Sequence, residues 1–288
     1  MKKSKNIVTA SCLLVLLGGS TSVFASHGNL FSMASNPEIT AEKIIDVLGI
    51  NAADLVPMGY LVELLKGCNP ETGHTPSDCL TPFHLAAFDG NGVSFLRAVA
   101  EILPLEGVIT LLQMRSRGCK TDKYGNTPVH LAAKRSNGED FIALMGEMFT
   151  KDLLMELLGM PGRLNYLPLH TAIESGNGDA FLRAEAKILE DDKDLLMELL
   201  QKRSLGGKTP LHEAAYVGGK SVKFVRTVAQ IFGEEKFIAL LGEVDDCGNT
   251  PIFEATIRHS EAFLDAVSRL LPSQFYITSR CCIRCKPI

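Results

Sequence analysis

Four histidines, His84, His130, His170 and His212, follow one another at intervals of 46, 40 and 42 residues, and imidazole is the side chain best suited to moving a proton near neutrality. A catalytic base also needs an orienting partner and a pocket. His212-Glu213 opens like the helix of a zinc protease, but that arrangement needs a second histidine four residues on, where Tyr216 stands. Gly206-Gly207-Lys208-Thr209 ends like a phosphate-binding loop, yet Lys202 occupies the place of the loop's first glycine. No Gly-x-Ser-x-Gly elbow is present. The remaining reactive cluster is Cys281-Cys282-Ile283-Arg284-Cys285. Cys282 and Cys285 have the spacing of a redox pair or of two metal ligands, and Arg280 and Arg284 favour the thiolate. A zinc site usually takes four ligands and no second pair matches, so the sequence favours an oxidised or intermolecularly paired tail.

The elements that hold the histidines explain their spacing. Asp122-Lys123-Tyr124-Gly125-Asn126-Thr127-Pro128-Val129-His130-Leu131-Ala132-Ala133 returns in altered copies beginning at Thr81, Leu167, Thr209 and Thr250, a period near 41 residues. In four of the five copies a threonine can cap a helix whose first position is proline, where the missing N–H is not needed; Leu167 stands in that place in the third. The small pairs 86/87, 132/133 and 214/215 keep one helix face thin. Gly90-Asn91-Gly92, Asn137-Gly138, Gly176-Asn177-Gly178 and Gly218-Gly219 then turn the chain. A second helix is expected to start at Phe95, Phe141, Phe181, Phe224 and Phe263, with apolar residues at helical offsets after each. A further leucine-rich segment follows: Val108 to Met114, Lys151 to Leu158, Lys193 to Leu200 and Phe237 to Leu241. It reads as a third short helix, or a kinked extension of the second, on the outer, convex side.

The pattern Asp-x-x-Gly-x-Thr-Pro-Leu-His-x-Ala-Ala with its glycine-centred turn is similar to the ankyrin repeat, and the likeness spans roughly residues 76 to 271. The resemblance implies an all-α fold, an ankyrin-type α-solenoid of stacked helix-turn-helix units with short β-hairpin or loop tips. The period exceeds the usual ankyrin length of about 33 residues, which the extra short helix accounts for. The resemblance also makes the motif histidine structural, its ring bonding backbone and threonine groups, and Phe253 replaces it in the last copy. It places the ligand face on the concave groove of loop tips and first helices. Carried over by position, the partner-binding candidates are Phe88, Lys123, Tyr124, Lys134, Arg135, Arg163, Tyr166, Tyr216 and Arg258. They form an aromatic and basic strip of the residue types enriched in binding hot spots. The implied function is a non-catalytic module for a protein partner, without a cofactor. The alternative is a thiol redox or metal-binding protein acting through the cysteine tail.

Residues 1–25 read as a signal peptide, with Lys2, Lys3 and Lys5 ahead of a short apolar run and Val23-Phe24-Ala25 at the cleavage point. The protein is therefore expected to be exported, to a periplasm or to the outside, and the lysine-rich start has a bacterial look. Cleavage removes three lysines and no acids, taking the net charge from -4 to -7. That balance disfavours nucleic acid, whose binders are typically basic. The apolar run is short for a bilayer span, which takes about 20 residues. Seven of eight cysteines would remain, an odd number that leaves one available to another chain. The expected organisation is a flexible leader over 26–35, an N-terminal helical cap over 36–75 starting at Asn36-Pro37, five repeats over 76–271, and a C-terminal cap with the cysteine tail over 272–288.

Overall fold

A computed structural model describes residues 30, 32–48, 62, 65, 80–116, 125–189 and 192–271. The proposed signal peptide, Lys123 and Tyr124, and the tail with Cys282 and Cys285 lie outside them. No described helix is long and apolar enough to cross a membrane.

The chain builds five units from α-helices. The first unit comprises α2 (Pro82–Asp89), α3 (Gly92–Ile102) and α4 (Leu105–Gln113). The second comprises α5 (Pro128–Ala133), α6 (Gly138–Met148) and α7 (Lys151–Leu158), and the third α8 (Pro168–Ser175), α9 (Gly178–Ile188) and α10 (Lys193–Gln201). The fourth holds α11 (Pro210–Val217) and α12 (Val222–Leu241), the fifth α13 (Pro251–Ile257) and α14 (Glu261–Leu270). First helices pack on first helices and second on second from each unit to the next, the stacking expected of a solenoid. The fully buried phenylalanines 83, 95, 141, 181, 224 and 263 fill the layer between the two rows. The small pairs Ala86/Ala87, Ala132/Ala133 and Ala214/Ala215 are also buried and let first helices approach closely.

The leucine-rich segment is a separate helix in three units. In the fourth, α12 is broken at Gly233, whose φ of 76° and ψ of 175° lie in a region open essentially to glycine. All four copies bury the same three positions: Val108, Leu111 and Leu112; Leu154, Leu157 and Leu158; Leu196, Leu199 and Leu200; Phe237, Leu240 and Leu241.

Three boundaries differ from the sequence expectation. The second helices begin at Gly92, Gly138, Gly178, Val222 and Glu261, two or three residues before the phenylalanines. Glycine is the opening residue where the turn crosses the preceding helix: a Cβ on Gly138 would sit 2.7 Å from the Ala132 carbonyl oxygen. Near the N-terminus, Asn36 accepts from the Glu38 N–H at 2.9 Å and so shapes a turn, while α1 (Ala41–Val47) starts four residues later, capped by Thr40. Leu30 and Ala34, placed by sequence in a flexible leader, are fully buried in the core, because both are apolar and the α1–α3 packing provides a surface to cover.

The unit tips are loops, without strands among the described residues. A backbone hydrogen bond joins the two ends of each: Ser116 N–H to Asn126 O at 2.8 Å, Gly162 to Tyr166 at 2.6 Å, Ser204 to Lys208 at 2.8 Å and Asp245 to Asn249 at 2.9 Å. Neighbouring tips are joined by Leu205 N–H to Leu164 O at 2.8 Å and Asp246 N–H to Gly206 O at 3.0 Å.

Candidate functional site

The four histidines are bound at both ring nitrogens. Nδ1 accepts the N–H of Thr81, Thr127, Leu167 and Thr209 at 3.2 to 3.3 Å. Because Nδ1 accepts, it carries no proton, and the hydroxyls of Thr81, Thr127 and Thr209 must donate to it at 2.7 to 2.8 Å. Nε2 then holds the proton and donates to the next unit: Asn126 O at 3.0 Å, Tyr166 O at 2.9 Å, Lys208 O at 3.3 Å and Asn249 O at 2.9 Å. Those four carbonyls are the ones that close the next tip, so each histidine ties a helix start to the following loop. Burial holds His84, His130 and His170 neutral, with pKa values lowered to about 4, and lowers His212 for the same reason. With no ring nitrogen free, these side chains are staples.

The candidate residues fall on the first helices and the tips, and two repeated pairings across unit boundaries organise them. In the first pairing, an aromatic residue just past the small pair of one unit meets an arginine one position further along in the next. The Arg135 guanidinium lies over the Phe88 ring at 4.3 Å, and Arg258 over Tyr216 at 4.5 Å. Arg135 Nε also donates to the Phe88 carbonyl. In the second pairing, the residue closing a tip reaches a glutamate in the next unit's first helix. Tyr166 Oη donates to Glu213 Oε2 at 2.7 Å, and Lys208 Nζ meets Glu254 Oε1 at 3.0 Å. Arg258 Nε approaches the same Glu254 oxygen at 3.3 Å, and the Lys208 ammonium stands 5.5 Å from the centre of the Tyr216 ring.

Lys208, Tyr216, Glu254 and Arg258 thus form one connected group over the fourth and fifth units, with the Tyr166–Glu213 pair spanning the third and fourth, and Phe88 and Arg135 a second group over the first two. Glu213 and Glu254 are 2% and 3% exposed, whereas the Tyr216 and Phe88 rings are 49% and 43% exposed. The acids anchor the arrangement from beneath and the aromatic and basic groups face outward. Burial raises the Tyr166 phenol above its ordinary value, and the bond to Glu213 adds to this. Burial likewise raises Glu213, with the Tyr166 bond opposing. Lys134 belongs to neither group; its carbonyl accepts from Asn177 Nδ2 at 2.9 Å. Arg163 sits exposed on the third tip, its backbone N–H bound to Asn126 Oδ1 at 3.1 Å.

Sequence reasoning missed Lys208, Glu213 and Glu254 as partners of the candidate residues. Their signal was present in the repeat columns: position 85, 131, 171, 213 and 254 reads Leu, Leu, Thr, Glu, Glu, and the tip-closing column carries Tyr166 and Lys208 one unit earlier. Only reading columns diagonally, one unit apart, pairs them.

Capped Thr-Pro first helices, antiparallel second helices, loop tips and histidine staples define an all-α, ankyrin-like repeat solenoid with a third short helix in its longer units. No family model and no curated protein matches the sequence. Among solved structures, a chain of "Bd0816 Predatory Endopeptidase from Bdellovibrio bacteriovorus in complex with immunity protein Bd3460" is similar with a TM-score of 0.50 at 15% identity, over 83% of this chain and 96% of that one. "Crystal Structure of EF0377 an Ankyrin Repeat Protein" gives a TM-score of 0.48 at 14% identity, over 84% and 98%. At such identities the likeness concerns the fold alone.

Proposed function

We propose that the protein is an exported, non-catalytic module that binds a protein partner on its first-helix and loop-tip face. The observation that carries this reading is the repeated arginine-on-aromatic pairing at Phe88–Arg135 and Tyr216–Arg258, which leaves large rings half exposed and already fixed in place. Aromatic and arginine side chains dominate interface hot spots, and groups held before binding lose less conformational entropy when a partner arrives. The staples and tip-to-tip bonds make the surface beneath them rigid. The Bdellovibrio structure, a protein–protein complex by its description, is in keeping with this use of the fold. The thiol alternative rests on Cys282 and Cys285, outside the described residues, and no structural observation favours it.

Crosslinked capture of the partner from the compartment of origin tests the reading. The triple variant R135A/Y216A/R258A should keep the wild-type circular dichroism and lose at least thirtyfold in partner affinity, since a hot-spot residue contributes about 2 kcal/mol or more. Unchanged affinity would refute the assignment of this face.

A further inference from the structure

Glu185 is the sole described residue with a fully buried side-chain oxygen that meets no hydrogen-bond partner, its Oε2. It is 1% exposed. Its place in the repeat makes it anomalous. It stands four residues after the helix-two phenylalanine Phe181, and the same position holds Val99, Met145, Val228 and Val267 in the other units, all of them buried. Glu185 shares the inner face of α9 with Gly178, Phe181 and Leu182, which are buried as well. A slot that four units fill with an aliphatic or thioether group is filled here by a carboxylic acid.

We propose that Glu185 is a proton-operated latch in the repeat stack: uncharged, it lets α9 seat between its neighbours, and ionised, it loosens that layer. An isolated carboxylate in an apolar interior is far more costly than the neutral acid. Nothing nearby offsets the charge. On the helices packed against α9, the titratable and charged groups Glu139, Asp140 and Glu147 of α6, Glu174 of α8, Lys193, Asp194 and Glu198 of α10, and Lys223, Arg226, Glu234, Glu235 and Lys236 of α12 are exposed. His170 of α8 is buried, with both ring nitrogens bound elsewhere. On α9 itself Asp179 and Arg183 pair with each other at 3.6 Å, and Lys187 is exposed. Burial alone raises the Glu185 pKa to about 8. One turn along the helix the packing has no slack, since a Cβ on Gly146 of α6 would overlap Ile188. The layer lies in the third unit, which carries Tyr166 and packs on the unit carrying Arg135, so loosening it would uncouple the Phe88–Arg135 pair from the candidate residues that follow it.

The full chain, kept reduced, is unfolded in urea from pH 6 to pH 9 alongside E185Q and E185V. The acid deprotonates near its ordinary value in the unfolded chain and near 8 in the folded one, so the folded state is progressively disfavoured as pH rises between these limits. The wild-type folding constant should fall about fiftyfold relative to E185Q between pH 6 and pH 8 and level off above. E185V, which restores the apolar slot, should be pH-independent relative to E185Q and more stable than wild type. Hydrogen exchange, corrected for intrinsic rates, should accelerate in α9 and its contacts to α6 and α12 between pH 6 and pH 8.5 in wild type alone. A wild-type to E185Q ratio that stays constant with pH, or acceleration spread evenly over all five units, overturns the proposal. If E185Q does not fold, the same comparison is made against E185V.

Discussion

Acidification from pH 7 to pH 5 should weaken the fold through its histidine staples. His84, His130 and His170 take up a proton near 6.5 when unfolded and near 4 when folded, so between those limits the unfolded chain binds more protons and stability falls as pH falls. Their contribution is complete above pH 6.5 and lost as pH drops towards 4. One proton of difference is about 1.4 kcal/mol per pH unit, which gives about 2 kcal/mol for each histidine between pH 7 and pH 5, and on the order of 5 kcal/mol for the three. Glu185 acts in the opposite sense, returning about 2 kcal/mol over the same interval as its unfolded-state advantage shrinks. The net loss of about 3 kcal/mol is a large part of a typical stability of about 5 to 15 kcal/mol, and the balance of the two terms places the optimum near pH 7. Urea unfolding followed by circular dichroism at pH 5, 6, 6.5, 7 and 8, with a common m-value, measures it. In E185Q the acid loss should steepen to the histidine value. Nitrogen-15 histidine spectra should show the His84, His130 and His170 rings neutral and protonated at Nε2 at pH 6. A flat profile from pH 7 to pH 5 in E185Q, or a doubly protonated His84, His130 or His170 ring at pH 6, would refute the staple argument.

Two substitutions probe parts of the fold that the pH experiment leaves alone. Gly233→Ala places a Cβ at φ 76° with open space around it, so the effect is conformational alone and should reduce stability by about 1 to 2 kcal/mol in urea titrations; no loss would mean that α12 is not broken there. Leu157→Ala removes a fully buried side chain from the third-helix layer and should lower stability by about 2 to 5 kcal/mol, whereas a surface loop at 151–158 would give less than about 0.5 kcal/mol.

Much of this architecture can be read in the chain. Five copies of a helix start at proline, four of them Thr-Pro, each followed by a turn and an apolar helix, specify stacked units, because each unit exposes two apolar faces that only a like neighbour covers. The leucine-rich insert was legible as a helix from its spacing, but whether it stands apart or continues helix two depended on local turns, and Gly233 shows one sequence detail giving a break inside a run. The candidate face was legible as a set of positions. Its grouping was not, since Arg135 with Phe88 and Lys208 with Glu254 are 47 and 46 residues apart and meet only once stacking sets the offset between units.

The sequence by itself determined the repeat and the starts of the first helices, because these follow from local spacing, and its ankyrin resemblance, with Phe253 in a histidine's place, gave the motif histidines their structural standing. The tertiary structure decided where each imidazole sends its proton, which cations cover which rings, and that Glu185 buries a carboxyl oxygen, Oε2, with no hydrogen-bond partner. Those properties depend on burial and on distances between units, and a chain written in one dimension carries neither.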